Sequence, residues 1–465
     1  MNDISSTIYE DNLKIISDLQ DLIHIPSISA KKQNLLECAA LVSQIMKKSG
    51  IDSEILFLDE EGKPSSHPSS TIPPIVFGQV KSKSNPTGPT LLFYNHYDVQ
   101  PVDPIDLWDD APFSGIVKGN YIFGRGSSDD KGELITRIKA VESILRDTGD
   151  VPCNIKFIVE GEEEIGSPNI VNYINAYREK FRSEKVIWEF GYIDEMEKPV
   201  ISLGMKGLLF VELIAKGPSR DAHSSLAVLI KNPAWVLTHL LSTIFDRNGK
   251  ITIKDWYKDI QKPTPEELQI INQELFDEKE FQKQYGISEF LGNIHGNEVK
   301  KALSTYPTCN IAGLFSGYIE EGAKTVLPSK AIAKLDFRLV PNMDPAKQLK
   351  LLQTHIKENG FENNIDINVI HSEPASKTSI NDPFVKLVED SASDIFGSVN
   401  KTISSSGTGP MFAFNDILGS PSVSVGCTYI YSKIHSPNEF MRLDLLFKTV
   451  DLMKLIINRF SSLYT

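Results

Sequence analysis

Apolar residues recur at helical spacing from about Ser5 to Leu22 (Ile8, Leu13, Ile16, Leu19, Leu22), and Ile25-Pro26 ends the run. A second stretch of the same kind covers about Gln33 to Ser49 and closes at Gly50. Short extended runs follow at Ser53–Leu58, Pro74–Val80 and Thr90–Tyr94, with the Pro/Ser-rich Lys63–Pro73 as a loop or exposed hairpin tip between the first two. Helical periodicity returns over Asp130–Leu145, then a strand at Asn154–Val159, a helix from about Asn169 to Phe181, and a short strand at Lys185–Trp188. Strands alternating with helices in this way predict an α/β domain built on a mostly parallel sheet with helices on both faces.

The rhythm changes near Gly204. Leu208–Ala215 alternates apolar and polar residues as a half-buried strand does, and a long helix follows over about Asn232–Phe245. Residues 254–303 are polar and helical, with Pro265-Glu266-Glu267 as a helix start. Strands at Thr308–Phe315 and Ala331–Leu339, a helix at Pro345–Glu358 and a strand at Asp366–His371 complete an α+β pattern with helices on one side of a sheet. Helix Pro383–Ile395 and strand Ser422–Val425 resume the first rhythm. The expected division is therefore a first domain over 1–204 and 380–465, with a second, at 205–379, inserted into it. No internal repeat or low-complexity segment stands out.

Composition sharpens this. A chain of 465 residues exceeds what one core usually holds, and 41% hydrophobic with 23% charged residues is an ordinary globular balance. The net charge of −13 argues against nonspecific nucleic-acid binding and against docking on anionic membranes. The four cysteines, Cys38, Cys153, Cys309 and Cys427, are scattered, without a CxxC pair, and read as buried free thiols in a reducing compartment. Met1-Asn2-Asp3-Ile4 begins neither a basic nor an apolar leader, and no apolar run reaches the length of a membrane span. A cytoplasmic location is the expectation.

The candidate chemistry centres on Gly124-Arg125-Gly126-Ser127-Ser128-Asp129-Asp130-Lys131-Gly132. Burying two adjacent carboxylates on a glycine-rich turn is unfavourable unless a cation offsets them; the plain alternative is a solvated Asx turn. His96-Tyr97-Asp98 precedes it, and the spacing lets Asp98 accept a hydrogen bond from one ring nitrogen of His96 while the other binds metal. A surface pair is the alternative there. Glu163 and Glu164 follow the next strand and point in different directions, so that one holds metal while the other handles a water; otherwise they are a solvated acidic run. Glu189 and His435 also lie just beyond predicted strands, where ligands gather on an open parallel sheet.

Taken in order, His96-Tyr97-Asp98-Val99, the Gly124–Gly132 stretch, Glu160-Gly161-Glu162-Glu163-Glu164-Ile165-Gly166-Ser167 and Ile434-His435-Ser436-Pro437-Asn438-Glu439 resemble one metallopeptidase family. It is the co-catalytic family of carnosinases, carboxypeptidase G, acetylornithine deacetylase and succinyl-diaminopimelate desuccinylase. Val99-Gln100-Pro101 and Arg338-Leu339-Val340-Pro341-Asn342-Met343 bring it closest to the carnosinase-like dipeptidase branch. The resemblance implies that Asp129 bridges two divalent metal ions, zinc first, with manganese or cobalt also compatible. His96 and Glu189 would complete one ion, and Glu164 and His435 the other, with a cis peptide between Asp129 and Asp130. Glu163 would be the general base and Asp98 would orient His96. Glu189 departs from the aspartate common in that branch, and Asp194 competes for the place.

In the inserted domain the resemblance implies a lid and a homodimer interface. His223, in Ser219-Arg220-Asp221-Ala222-His223-Ser224-Ser225, would reach the partner subunit's site and stabilise an oxyanion; read alone it is an ordinary turn residue. Arg338 would grip the substrate carboxylate, or else form a strand-end ion pair with Asp336. Asn310 and Gly407, the latter in Ser406-Gly407-Thr408-Gly409, are further substrate candidates, although the carnosinase pattern carries Arg-Glu-Gly-Gly in that loop. The remaining histidines, His24, His67, His239, His295, His355 and His371, read as structural or surface residues. The implied reaction is hydrolysis of the amide bond of dipeptides or short peptides by a metal-activated water. Removal of an acetyl or succinyl group from an amino acid uses the same motifs. A non-catalytic binding protein on this fold would lack Glu163 or a metal ligand, and none is missing.

Overall fold

The computed structural model describes residues 2–69 and 71–464. The side chains of residues 2–9, Ile8 among them, lie outside the described set. The chain forms two compact units, one of Met1–Gly204, Lys377–Ile403 and Gly409–Thr465, the other of Met205–Ser376 and Ser404–Thr408.

The first unit is built on a nine-stranded mixed sheet. Its central four strands, Ser422–Ser424, Lys185–Trp188, Thr90–His96 and Asn154–Glu160, run parallel. Ile75–Val80 and Asp52–Leu58 extend it antiparallel on one side. Thr90–His96 is buried from its second residue to its last, as expected of a strand covered on both faces. Leu91 and Phe93 face a core made with helices Leu35–Lys48, Lys131–Thr148, Pro383–Phe396 and Leu443–Phe460. On the opposite face Tyr94 packs against Trp188 and Phe414, with ring centroids 4.5 and 4.6 Å away. The expected helix near Asn169–Phe181 is two helices, Ile170–Ala176 and Arg178–Phe181, broken at Tyr177. Two short strands after Trp188, Tyr192–Ile193 and Val200–Ser202, carry too few residues to show periodicity.

The second unit holds a four-stranded antiparallel sheet in the order Asn310–Ser316, Lys330–Leu339, Gly207–Lys216, Ile365–Glu373. Leu209, Val211, Leu213 and Ala215 alternate inward and meet Leu237, Leu240 and Ile244 of helix Pro233–Ile244 and Leu352 and Ile356 of helix Pro345–Glu358. The helix start at Pro265 carries a full capping box between Thr264 and Glu267. All four cysteines are free, but Cys309 is half-buried rather than buried, since it directly precedes Asn310–Ser316, a strand at the sheet edge. Among the described residues, no helix is long and apolar enough to cross a membrane.

Phe157 is fully buried between strands and lies 5.1 Å from the Phe93 ring. Phe157→Ala should lower stability by about 3–5 kcal/mol in urea denaturation. A loss below about 1 kcal/mol would mean that this core closes over the vacated space.

Candidate metal centre

The parallel strands deliver the candidate residues to one rim of the first unit's sheet. His96 ends Thr90–His96, Glu163 and Glu164 open a 3-10 turn just after Asn154–Glu160, and Glu189 directly follows Lys185–Trp188. Asp129 sits one residue before the N-cap of helix Lys131–Thr148, and the Asp129-Asp130 peptide is cis. His435 occupies the left-handed region at φ 60°.

Asp129 stands between two imidazoles. Its Oδ1 lies 3.1 Å from His96 Nε2 and its Oδ2 3.0 Å from His435 Nε2. His435 Nε2 is also 3.1 Å from Glu164 Oε2, and ligand atoms of Asp129, Glu164 and His435 all fall within 4.8 Å of one another. The other nitrogen of His96, Nδ1, lies 3.1 Å from the Asp98 carbonyl and 3.4 Å from its carboxylate. That carboxylate accepts the backbone N–H groups of Glu163 and Glu164 at 3.2 and 3.1 Å, so Asp98 fixes both His96 and the glutamate turn. Asp194 is elsewhere: its carboxylate accepts the N–H groups of Met196 and Lys198 and the side chain of Asn400.

Burial and mutual repulsion disfavour charge on the glutamates of this cluster. Burial pushes Glu163, Glu164 and Glu189 above the usual carboxylate range, and neighbouring carboxylates add to it: Glu164 for Glu163, Asp129 for Glu164, Glu163 for Glu189. Burial also opposes charge on Asp129, yet hydrogen bonds from His435 and His96 hold it well below that range. The Asp129 and Glu164 carboxylates raise His435 to about 11. For His96, burial acts downward but Asp129 and Asp98 outweigh it. Glu164 Oε1 and Glu189 Oε2 are buried without any hydrogen-bond partner. Orphaned carboxyl oxygens around a carboxylate shared by two imidazoles are a donor set that fits divalent cations.

The supporting residues were largely invisible to sequence reasoning. Glu439, four residues beyond His435, accepts Arg125 Nη1 at 2.8 Å and the N–H groups of Gly126, Ser128 and Asp129 at 3.0, 3.0 and 3.1 Å. Arg125 in turn lies over the Trp108 ring at 5.4 Å. Gly126, at φ 82°, admits no side chain, because a Cβ would come 2.6 Å from Val99. Asp130, next to Asp129, accepts the Asn95 amide at 2.7 Å and the His96 N–H at 3.0 Å. The only hint of Glu439 in the sequence was its place in the same short motif as His435.

Residues 92–459 match peptidase family M20/M25/M40. The chain belongs to that family. It is 31% identical over 377 residues to the Cys-Gly metallodipeptidase of Schizosaccharomyces pombe, covering 77% of each chain. It is 28% identical over 353 residues to the human Beta-Ala-His dipeptidase, covering 74% of this chain and 69% of that protein. Among solved structures, the M20 family metallo-carboxypeptidase Sso-CP2 of Sulfolobus solfataricus superposes with a TM-score of 0.88 at 36% identity, over 96% of this chain and 99% of that one. The enzyme is a metallopeptidase that uses divalent metal ions.

The other candidate residues of this M20 peptidase lie in the second unit. His223 is exposed, and its Nδ1 receives the Ser225 N–H at 3.2 Å. Arg338 does not pair with Asp336; its Nη1 donates to the Thr408 hydroxyl, while Asp336 accepts the Asn310 amide at 2.8 Å. Gly407 takes part through its backbone, donating to Ser405 Oγ at 3.1 Å and accepting from the Lys206 N–H at 3.1 Å.

Removing metal should make stability fall with rising pH. Burial raises Glu162 to about 7 and Glu160 to about 8, and its carboxylate neighbours raise His435 to about 11. Each group therefore binds its proton more tightly when folded. That stabilisation is complete below the unfolded values, 4.5 for Glu and 6.5 for His, and is lost as pH climbs through the folded ones. Asp129 acts oppositely, but its contribution is already complete above 3.8. Chelated protein should thus lose Tm steadily between about pH 5 and 9, and added zinc or manganese should restore it and flatten the profile. A Tm that holds or rises over that range would contradict the proton placement.

Proposed function

We propose that this M20 peptidase hydrolyses dipeptides and short peptides that carry a free carboxyl terminus, as a cytoplasmic homodimer with two zinc ions per subunit. The observation that carries the metal reading is the Asp129 carboxylate, whose two oxygens face two different imidazoles at 3.1 and 3.0 Å. A carboxylate so divided is arranged to be shared by two cations. His96 and Glu189 would hold one ion, Glu164 and His435 the other, and Asp129 both. The dipeptidase relatives support the choice of dipeptides over acylated amino acids.

When bound, the two cations would supply Lewis acidity and lower the pKa of a water. The remaining work falls to the chain. Glu163 takes the proton of the attacking water and gives it to the leaving amine; its raised affinity for a proton, owed to burial and to Glu164, suits the second half of that task. Asp98 holds the His96 ring in register with Asp129 and anchors the Glu163 backbone. His223, acting from the partner subunit, donates a hydrogen bond to the oxyanion of the tetrahedral intermediate. Arg338 orients the substrate through its carboxylate, with Asn310 and the Gly407 backbone beside it.

Glu163→Ala should lower kcat at least about a hundredfold while metal content stays at two ions per subunit. Loss of metal as well would interchange the roles of Glu163 and Glu164. His223→Ala mixed with Glu163→Ala should regain activity in heterodimers, whereas inactive mixtures would rule out action across the dimer. Chelator-sensitive cleavage of unblocked dipeptides is the direct test of substrate class. Cleavage confined to N-acetyl or N-succinyl amino acids would move the enzyme to the deacylase activity.

A further inference from the structure

The sheet of the second unit presents its inward-alternating side chains to the helices, and the opposite face carries an uncompensated pair of positive charges near one end. Arg338 lies opposite Leu208 on that second face. Carried one residue back from Gly207, the alternation puts Lys206 on the same face, diagonal to Arg338 across the two strands, a distance that long side chains span. Lys206 is only 3% exposed, and its Nζ donates at 2.7 Å to the Tyr306 carbonyl, which uses one of its three N–H groups.

The nearby acids are all engaged elsewhere. Asp336 accepts the Asn310 amide, and Glu373, opposite Leu208 on the other neighbouring strand, lies 3.5 Å from His371. Among the described residues neither Lys206 nor Arg338 forms an ion pair. Burial, and after it the Arg338 charge, bring Lys206 down to about 8. A buried lysine beside a half-buried arginine without a counter-ion is unfavourable, and a bound anion relieves both the repulsion and the lysine's lost solvation.

We propose that Lys206 is a second cationic contact for the substrate's carboxylate, completing with Arg338 and the Thr408 hydroxyl a seat that makes this peptidase select substrates with a free carboxyl terminus. The inference rests on the assignment of Arg338 as the carboxylate-binding residue. Arg338 supplies the planar fork, steadied by Thr408; Lys206 supplies a compact charge, steadied by Tyr306. The competing explanation is that Lys206 merely anchors the chain at Tyr306, which caps helix Asn297–Thr305.

The test compares one unblocked dipeptide with its C-terminal amide on the metal-loaded full-length enzyme. Lys206→Met should lower kcat/KM for the free dipeptide about tenfold or more, mainly through KM, and leave the amide within about twofold. Lys206→Arg should recover most of the loss. Equal losses on both substrates, or none on either, would overturn the proposal. Wild-type enzyme that treats dipeptide and amide alike, or Arg338→Met without effect, would instead remove the Arg338 assignment beneath it. Should Lys206→Met fail to fold, calorimetry of the wild type in buffers of differing ionisation enthalpy decides the question. Near pH 8 the free dipeptide should bind with proton uptake and the amide without it; equal uptake overturns the proposal.

Discussion

The arrangement depends on one unfavourable act, the gathering of Asp129, Glu163, Glu164 and Glu189 at the buried carboxyl ends of parallel strands. Without cations the chain answers by holding protons, on the glutamates through burial and on the two imidazoles through Asp129. Much of the surrounding structure resists the repulsion. Glu439 gathers three backbone N–H groups of the glycine-rich turn, Asp98 gathers two from the glutamate turn, and Asp130 ties that turn to His96. Acids outside the proposed ligand set thus hold the acids within it.

The two units solve the same problem, buried charge, in different ways. The first concentrates negative charge beside imidazoles and suits cations. The second places Lys206 and Arg338 on one sheet face whose nearby acids, Asp336 and Glu373, pair with other groups, a pattern the proposed anion seat would use.

How much of this was legible follows from how far each signal reaches along the chain. The apolar pattern located Lys185–Trp188 and Pro345–Glu358 to the residue, the first as a short continuous apolar run and the second as a helix with one apolar face. It passed over Tyr192–Ile193 and Val200–Ser202, which are too short to express a period. The candidate set stood out because His96, Glu163, Glu164 and Glu189 follow strands that the pattern predicts, Asp129 precedes a predicted helix, and the motifs around them resemble one family in order. Glu439 and Lys206 did not: one glutamate or lysine in a sequence looks like any other, and their roles come from partners such as Arg125, 314 positions away, and Tyr306, 100 positions away.

The sequence by itself therefore determined the alternation of elements, the parallel core, and which His, Asp and Glu residues end its strands, since local periodicity and strand-end position are properties of short stretches. Only the tertiary structure shows that Glu189 is buried within electrostatic reach of Glu163 and Asp129 while the Asp194 carboxylate is taken up by Met196, Lys198 and Asn400, that Asp98 braces two segments, and that Arg338 forms no ion pair among the described residues. Those outcomes depend on distances between segments far apart in the chain, and on the charge that burial leaves uncompensated when they meet.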